Sequence, residues 1–279
     1  MTTHGIAMKF PAAVTTPVIS PYYIRLSENP GVIVIVSHID IVLVTYNSRR
    51  FLPEFFTTLK NSTELPFHLI VIDNASTDQT RSYLNRLRAH TPATESIRRM
   101  KLICNSTNLG VARAWNLGIN SGDGAYVVFV NPDLKFSIGW LEKMVHCAEN
   151  HPQAGVIGAK IVHFNNTIDH AGFLGGTVRG RGESGDTERY NQEVEVEGIH
   201  GCCFLVKRQI LQAVGHFDER FFLYAEEDDY CIRVRQAGFA VFYSPAKIYH
   251  FSAGSVIPLS KRRKLHSISL QKFYNKWGM

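Results

Sequence analysis

The chain contains no run of about 18 uninterrupted apolar residues, the length a membrane-crossing helix requires. Its strongly apolar stretch, Val32 to Val44, is broken by Ser37, His38 and Asp40. The leader lacks the charged-then-apolar order and small-residue cleavage site of a secretory signal, so the four N-x-S/T triplets at Asn61, Asn74, Asn105 and Asn165 carry no glycosylation meaning. Cysteine is scarce: there are five, an odd number, with no C-x-x-C spacing. That argues against a disulfide framework and a paired-cysteine zinc motif, and it reads as reduced thiols in a cytosolic protein. No internal repeat is visible. The balance is basic, with 30 Lys+Arg against 24 Asp+Glu and a pI near 9.1, which suits phosphate-bearing ligands or an anionic membrane surface. No basic stripe with interleaved aromatics supports a nucleic-acid binder. One block, Lys261-Arg262-Arg263-Lys264, reads as the solvated start of a helix in preference to a lipid- or nucleic-acid-binding patch.

What remains is globular: 279 residues, 45% hydrophobic and 19% charged, enough for one large domain or two small ones. Apolar β-rich runs alternate with helical patterns. Ile39 to Thr45 reads as a strand, and Phe51, Leu52, Phe55, Phe56 and Leu59 recur at helical spacing. A second strand runs from His68 into the turn ending at Ser76, followed by a helix over Thr80 to Arg88. Lys101 to Asn105, then a helix over Val111 to Asn120, then the strand Tyr126 to Val130 complete the alternation. This predicts an open, largely parallel α/β sheet, whose ligands bind outside the carboxyl ends of the strands. Three polar turns therefore share one rim: Thr45-Tyr46-Asn47, Asp73-Asn74-Ala75-Ser76 and Asn131-Pro132-Asp133.

The second half reads as a helix over Gly139 to Glu149 and strands at Ala154 to Val162, Cys202 to Val206 and Ala240 to Tyr243, with Pro245 beyond the last. A short helix starts at Arg208, and Glu226 to Gln236 forms another that stops at Gly238. Gly172 to Gly185 has no packing pattern and is either an active-site flap or a disordered loop.

Several residues stand out chemically. Glu226-Glu227-Asp228-Asp229 is either a helix start with compensating charge or a set of carboxylates that raise one another's pKa, as a general base requires. Asp73 closes a buried strand and needs a partner, whereas Asp78 fits a helix cap. His250, in ordinary terms a satisfied core or loop histidine, is also carried as a metal ligand beside Asp133.

"VLVTYNS", "VIDNASTDQT", "NLGVARAWNLGI", "YVVFVNPDL" and "FDERFFLYAEEDDYCIRVRQAGF" occur in that order. Together they resemble the family 2 glycosyltransferases of the GT-A fold, most closely the rhamnosyltransferase-like branch, from about Asp40 to about Ser255. The resemblance implies an α/β, Rossmann-like three-layer α/β/α sandwich around a mostly parallel mixed sheet. Residues 1–38 would be an arm or extra strand and 39–257 the catalytic domain. That domain divides into a nucleotide-sugar half, 39–135, and an acceptor half, 136–257, and 258–279 is a basic tail or helix. It implies an inverting transfer from a UDP-, dTDP- or GDP-sugar to a hydroxyl of a glycan or lipid-linked acceptor, with Mn2+ or Mg2+. By position, Thr45, Tyr46, Asn47, Asp73, Asn108, Gly110, Ala114, Asn116, Asn131 and Asp133 would bind the nucleotide sugar. Asp133 would hold the metal and Glu227 would act as base. Gly201, Glu226 and Asp229 would shape the acceptor side.

Two departures from the family pattern stand out. Asn131 replaces the first aspartate of D-x-D, and Glu227 replaces the usual aspartate base. A sugar-1-phosphate nucleotidyltransferase is disfavoured because "TYNSRRF" has no glycines. A catalytically weak or inactive nucleotide- or glycan-binding module remains the alternative. The expected setting is cytoplasmic with at most peripheral membrane contact, and a homodimer through the N-terminal arm is left open.

Overall fold

The computed structural model describes residues 38–90, 96–251 and 257–278, with the backbone of two short strands before them. Those strands, β1 (Tyr23–Ile24) and β2 (Val34–Ile35), pair antiparallel. The remainder of the expected N-terminal arm and the segment 252–256 lie outside the described residues.

The first half follows the sequence pattern closely. It runs β3 (Ile39–Thr45), α1 (Leu52–Asn61), β4 (Phe67–Asp73), α2 (Thr80–His90), β5 (Ile97–Cys104), α3 (Val111–Ile119) and β6 (Tyr126–Val130). The short β7 (Leu134–Phe136), α4 (Trp140–Asn150) and β8 (Ala154–Val162) lead into the less regular half. There follow β9 (Ile168–His170), β10 (Phe173–Leu174), β11 (Thr177–Val178), β12 (Val194–Val196), β13 (Cys203–Lys207) and α5 (Arg208–Val214). The chain ends with α6 (Glu226–Gln236), β14 (Ala240–His250) and α7 (Leu259–Trp277).

The main sheet has the order β12-β14-β8-β13-β6-β3-β4-β5, with β7 beside β14 and β9 beside β8. β5, β4, β3, β6, β8 and β14 all run one way, and only β13 and β12 on this path oppose them. The central strands are covered on both faces, which is why they read as continuous apolar runs and not as alternation. Ile39, Ile41 and Leu43 pack with α1 and α4 residues such as Phe55 and Trp140. Val42 and Val44, pointing the other way, pack with Trp115 of α3 and Tyr230 of α6. Helices thus cover both faces of a mixed sheet, the expected three-layer α/β arrangement.

Two expectations for the second half are corrected, the disordered-loop alternative for Gly172 to Gly185 and the end of the last strand. Gly172 to Gly185 is a folded excursion: β10 and β11 form a hairpin closed by Gly175 and Gly176, both at positive φ. It is tied down where Ile168 N–H donates to the Glu183 carbonyl and the Tyr190 hydroxyl to the Glu183 carboxylate. The strand expected to stop at Tyr243 continues through Pro245 to His250, because a register shift between Tyr243 and Lys247 absorbs the proline. That continuation carries His250 to the same rim as Asp133.

Candidate functional site

Strand direction alone assembles the site. The carboxyl ends of β3, β4, β6, β8 and β14 and the amino end of antiparallel β13 meet on one edge of the sheet. The segments there enclose a cleft of about 440 Å3, lined among others by Tyr46, Asn47, Asn108, Gly110, Asn131 and Asp133. Asp169, His200, Tyr224, His250 and Arg262 complete its wall.

At one end, the turns after β3 and β4 lock together. Thr45 Oγ1 donates to Asp73 Oδ1 at 3.2 Å, and Arg81 Nε and Ser76 N–H donate to Asp73 Oδ2 at 3.1 and 3.3 Å. Asn47, at φ 50°, accepts from Thr77 N–H through its Oδ1 at 2.7 Å. Asn74, which the sequence marked only as a turn residue, organises the next loop. Its Nδ2 donates to Asn108 Oδ1 and its Oδ1 accepts from Leu109 N–H, at 2.8 and 2.9 Å. Gly110 has φ 84° and the Phe222 carbonyl 2.6 Å from where a Cβ would stand, so only glycine fits this close approach.

At the other end, Asp133 Oδ2 lies 3.4 Å from His250 Nε2, while His250 Nδ1 faces Asp169 Oδ2 at 4.0 Å. Burial works against charge on this imidazole, yet its bonds to Asp133 and Asp169 outweigh burial and lift His250 to about 9. The hydrogen bond from His250 in turn lowers Asp169 to about 2. His200, its ring 5.5 Å from that of His250, is pushed down to about 3 by burial and then by the charge on His250. One cation therefore sits among two carboxylates, with a neutral imidazole beside it. Neither Asp169 nor His200 stands out in the sequence, since each is an isolated residue in a segment without periodicity.

The segment His200-Gly201-Cys202 joins this cluster to the acidic turn. Asn131 N–H donates to the Cys202 carbonyl at 2.9 Å, and Gly201 N–H donates to Glu227 Oε1 at 3.1 Å. The Cys202 thiol is driven well above its usual range by burial, then by Cys203, Asp133, Asp169 and Glu227, so these three carboxylates converge on it. Glu227 Oε2 is shielded from solvent and has no hydrogen-bond partner among the described residues. Burial, then the charge of Asp228, raises Glu227 to about 8. Just before the helix, Tyr224 and Ala225 both hold positive φ, 75° and 69°, a strained pair that turns the chain so α6 starts at this point.

Not every expected residue reaches the cleft. Ala114 is fully buried in the core. Asn116 is spent on the Phe217 backbone and on Glu219, at 2.9, 3.0 and 3.1 Å. Thr45 and Asp73 are fully buried beneath the cleft floor and bonded to each other. Asp229 is corrected most clearly: fully buried, it pairs with Arg233 at 2.9 Å and Lys276 at 2.5 Å and accepts from Trp277 Nε1 at 3.2 Å. It anchors α7 and is not among the residues that line the cleft. Glu226 is also buried, and burial, then Glu227, raises its carboxyl well above the usual range.

Known proteins agree with this architecture. The chain is 29% identical over 245 residues to the N-acetylglucosaminyl-diphospho-decaprenol L-rhamnosyltransferase of Mycobacterium tuberculosis (strain ATCC 25618 / H37Rv), covering 78% of this chain and 77% of that protein. It superposes on GalNAc-T7 bound to UDP, GalNAc and Mn2+ with a TM-score of 0.58 at 12% identity, covering 77% of this chain and 44% of that one. It superposes equally, at 0.58 and 17% identity, on the Pyrobaculum calidifontis mannosyltransferase PcManGT with GDP-Man and Mn2+, covering 80% and 58%. The chain thus spans about half the length of these two structures, which share its GT-A fold. The sequence family described as Glycosyl transferase family 2 matches residues 40–215, well over half the chain, and the protein belongs to that family of glycosyltransferases.

Proposed function

We propose that the protein transfers a sugar, with inversion, from a nucleoside-diphosphate sugar to a hydroxyl of a lipid-linked acceptor. The observation that carries this reading is the bridge His200–Cys202. It sets a carboxylate with a free buried oxygen, Glu227, against the cluster of Asp133, Asp169 and His250.

In this reading the sugar lies between the two. Glu227, at about 8, takes the acceptor hydroxyl's proton as that oxygen attacks the anomeric carbon. The bond to the diphosphate breaks on the opposite face, which inverts the centre. Asn74 and Asn47 hold the loops that would surround the nucleotide. A divalent cation, when bound, supplies charge neutralisation for the departing diphosphate. The residues fit one: Asp133 and Asp169 already surround a positive charge, the protonated His250, so the site is built to accept cationic charge. Asp133, with His250 once deprotonated, would hold it. Mn2+ fits this mixed nitrogen and oxygen set better than Mg2+.

The similar mycobacterial enzyme favours an L-rhamnosyl donor and a sugar-diphospho-polyprenol acceptor for this protein. Incubation with MnCl2 and UDP-, dTDP- and GDP-sugars should release nucleoside diphosphate from one donor class, faster when a lipid-linked acceptor is added. Nuclear magnetic resonance of the product should show the opposite anomer. Retention of the donor's configuration, or tight nucleotide binding without any turnover, would sink the proposal.

A further inference from the structure

The edge of the sheet opposite the cleft holds a second set of ligating side chains. β3 and β4 begin there, and their parallel register places Asp40 beside His68. His38 stands two residues before Asp40, and the turn entering β6 brings Asp123. One donor atom from each of these four residues lies within 4.8 Å of the others.

Asp40 shows that the cluster is more than a pair of surface contacts. It is fully buried. Its Oδ2 accepts from Gly124 N–H at 2.7 Å and from Arg208 at 2.9 Å. Among the described residues its Oδ1 has no hydrogen-bond partner, and it faces His68 Nδ1 at 3.8 Å, beyond hydrogen-bond range. A buried carboxylate oxygen without a donor is costly to keep. The turn is shaped around it: a Cβ at Gly122 would lie 2.2 Å from Asp40 Oδ2, and one at Gly124 2.9 Å from its Cγ. On the solvent side His38 Nε2 meets Asp123 Oδ1 at 2.6 Å, and the two imidazole rings are 4.7 Å apart.

We propose that His38, Asp40, His68 and Asp123 bind one zinc ion that staples the starts of β3 and β4 to the turn before β6. Two imidazoles and two carboxylates make a four-ligand nitrogen and oxygen set that zinc accepts in tetrahedral geometry, whereas Mg2+ favours oxygen alone. Arg208 occupies the carboxylate oxygen that points away, leaving Oδ1 for the metal. These three strands are neighbours whose opposite ends carry Thr45, Asp73 and the Asn131–Asp133 turn. The staple would therefore fix the strands that position the cleft without touching it.

Two other clusters, His200-Cys202-His250 and Cys147-His151-Glu193, make a comparison of variants necessary. The full chain, stripped with EDTA, is titrated with ZnCl2 and separately with CoCl2, beside His38→Ala/His68→Ala and Asp123→Asn. Both histidines are partly exposed, at 23% and 30%, and Asp123 is exposed at 85%, so these changes leave the core intact; circular dichroism checks this. By elemental analysis the unaltered protein should hold one more equivalent of zinc than the double variant. Zinc should raise its melting temperature by several degrees more than that of the double variant. Cobalt should give the visible bands of a tetrahedral site in the unaltered protein and lose them in the double variant. Asp123→Asn should weaken zinc about tenfold or more. Equal zinc content and equal cobalt spectra in all three proteins would overturn the site, as would failure of the unaltered protein to retain zinc.

Discussion

Replacing Glu227 with glutamine tests the site through two independent readouts. The carboxyl titrates at about 8 in the fold against 4.5 in an unstructured chain, so the folded state binds the proton more tightly. The stability linked to this group is therefore fully present below about pH 4.5 and is lost as pH rises through about 8. At about 1.4 kcal/mol per tenfold change in proton affinity, the ceiling on that loss is about 5 kcal/mol. Glu226 beside it is shifted the same way, by burial and then by the charge of Glu227. Glutamine keeps an acceptor for Gly201 N–H and cannot ionise. We expect Glu227→Gln to gain about 1–3 kcal/mol relative to the parent at pH 8.5, or about 3–10 °C in melting temperature, and almost nothing at pH 4.5. Urea denaturation at both pH values measures the first readout, and a radiolabelled-sugar assay measures the second. Transfer should be abolished while nucleotide affinity survives. A stability difference independent of pH would refute the buried-carboxyl reasoning, and full turnover would refute the assignment of the base.

Asp133→Ala should eliminate the manganese-dependent part of nucleotide-sugar affinity, and calorimetry giving the same affinity with and without MnCl2 would reject Asp133 as the metal residue. Asp229→Ala takes from Arg233 and Lys276 the buried carboxylate they share, and because Lys276 keeps Asp218 and Arg233 keeps two carbonyls it should cost up to about 3 kcal/mol in urea denaturation; a loss under about 1 kcal/mol would show that α7 is held by other contacts. Gly110→Ala forces a Cβ against the Phe222 carbonyl at positive φ and should cost about 1–3 kcal/mol. Because Val111 N–H donates to that same carbonyl at 2.7 Å, nucleotide affinity should fall with it, and unchanged affinity would separate this loop from the cleft.

How much was readable beforehand followed from burial. Ile39–Thr45 and Ala154–Val162 are buried along their whole lengths, so a largely apolar run, interrupted inside only by Asp40 in one and Lys160 in the other, locates their ends to the residue. Glu226–Gln236 was equally legible, because acidic residues mark one end of the helix and Gly238 follows the other. Strands of two or three residues, such as Ile168–His170 and Val194–Val196, are too short to show any period. Pro245 hid the second half of β14, since only a pairing partner reveals that a bulge has absorbed it. The site divides in the same way. Asp133 and Asp73 follow long strands and could be placed on a rim by topology. Asp169 and His200 arrive from short or irregular segments and become visible only once β9 and β13 are paired. Ala114 and Asn116 sit on the helix next to a real cleft residue, Gly110, but helical geometry turns them into the core and toward Phe217.

The acidic turn shows why composition could not separate structure from chemistry. Four carboxylates at the positive end of one helix are equivalent in sequence, and the helix dipole treats them alike. A period of about 3.6 residues sends each in its own direction. Glu226 is buried, Glu227 meets Gly201, Asp228 is exposed, and Asp229 holds Arg233, Lys276 and Trp277. Residues 218–224, the segment just before this turn, are clasped from outside by α7. Ser269 donates to the Leu223 carbonyl, Lys272 donates to the Arg220 carbonyl, and His266 packs edge-on against Tyr224. Arg262 of the same helix lies on the cleft wall. The basic C-terminal stretch thus reaches the cleft wall through Arg262, and Asp229 is the buried charge that holds this helix while Glu227, two positions earlier, turns to Gly201.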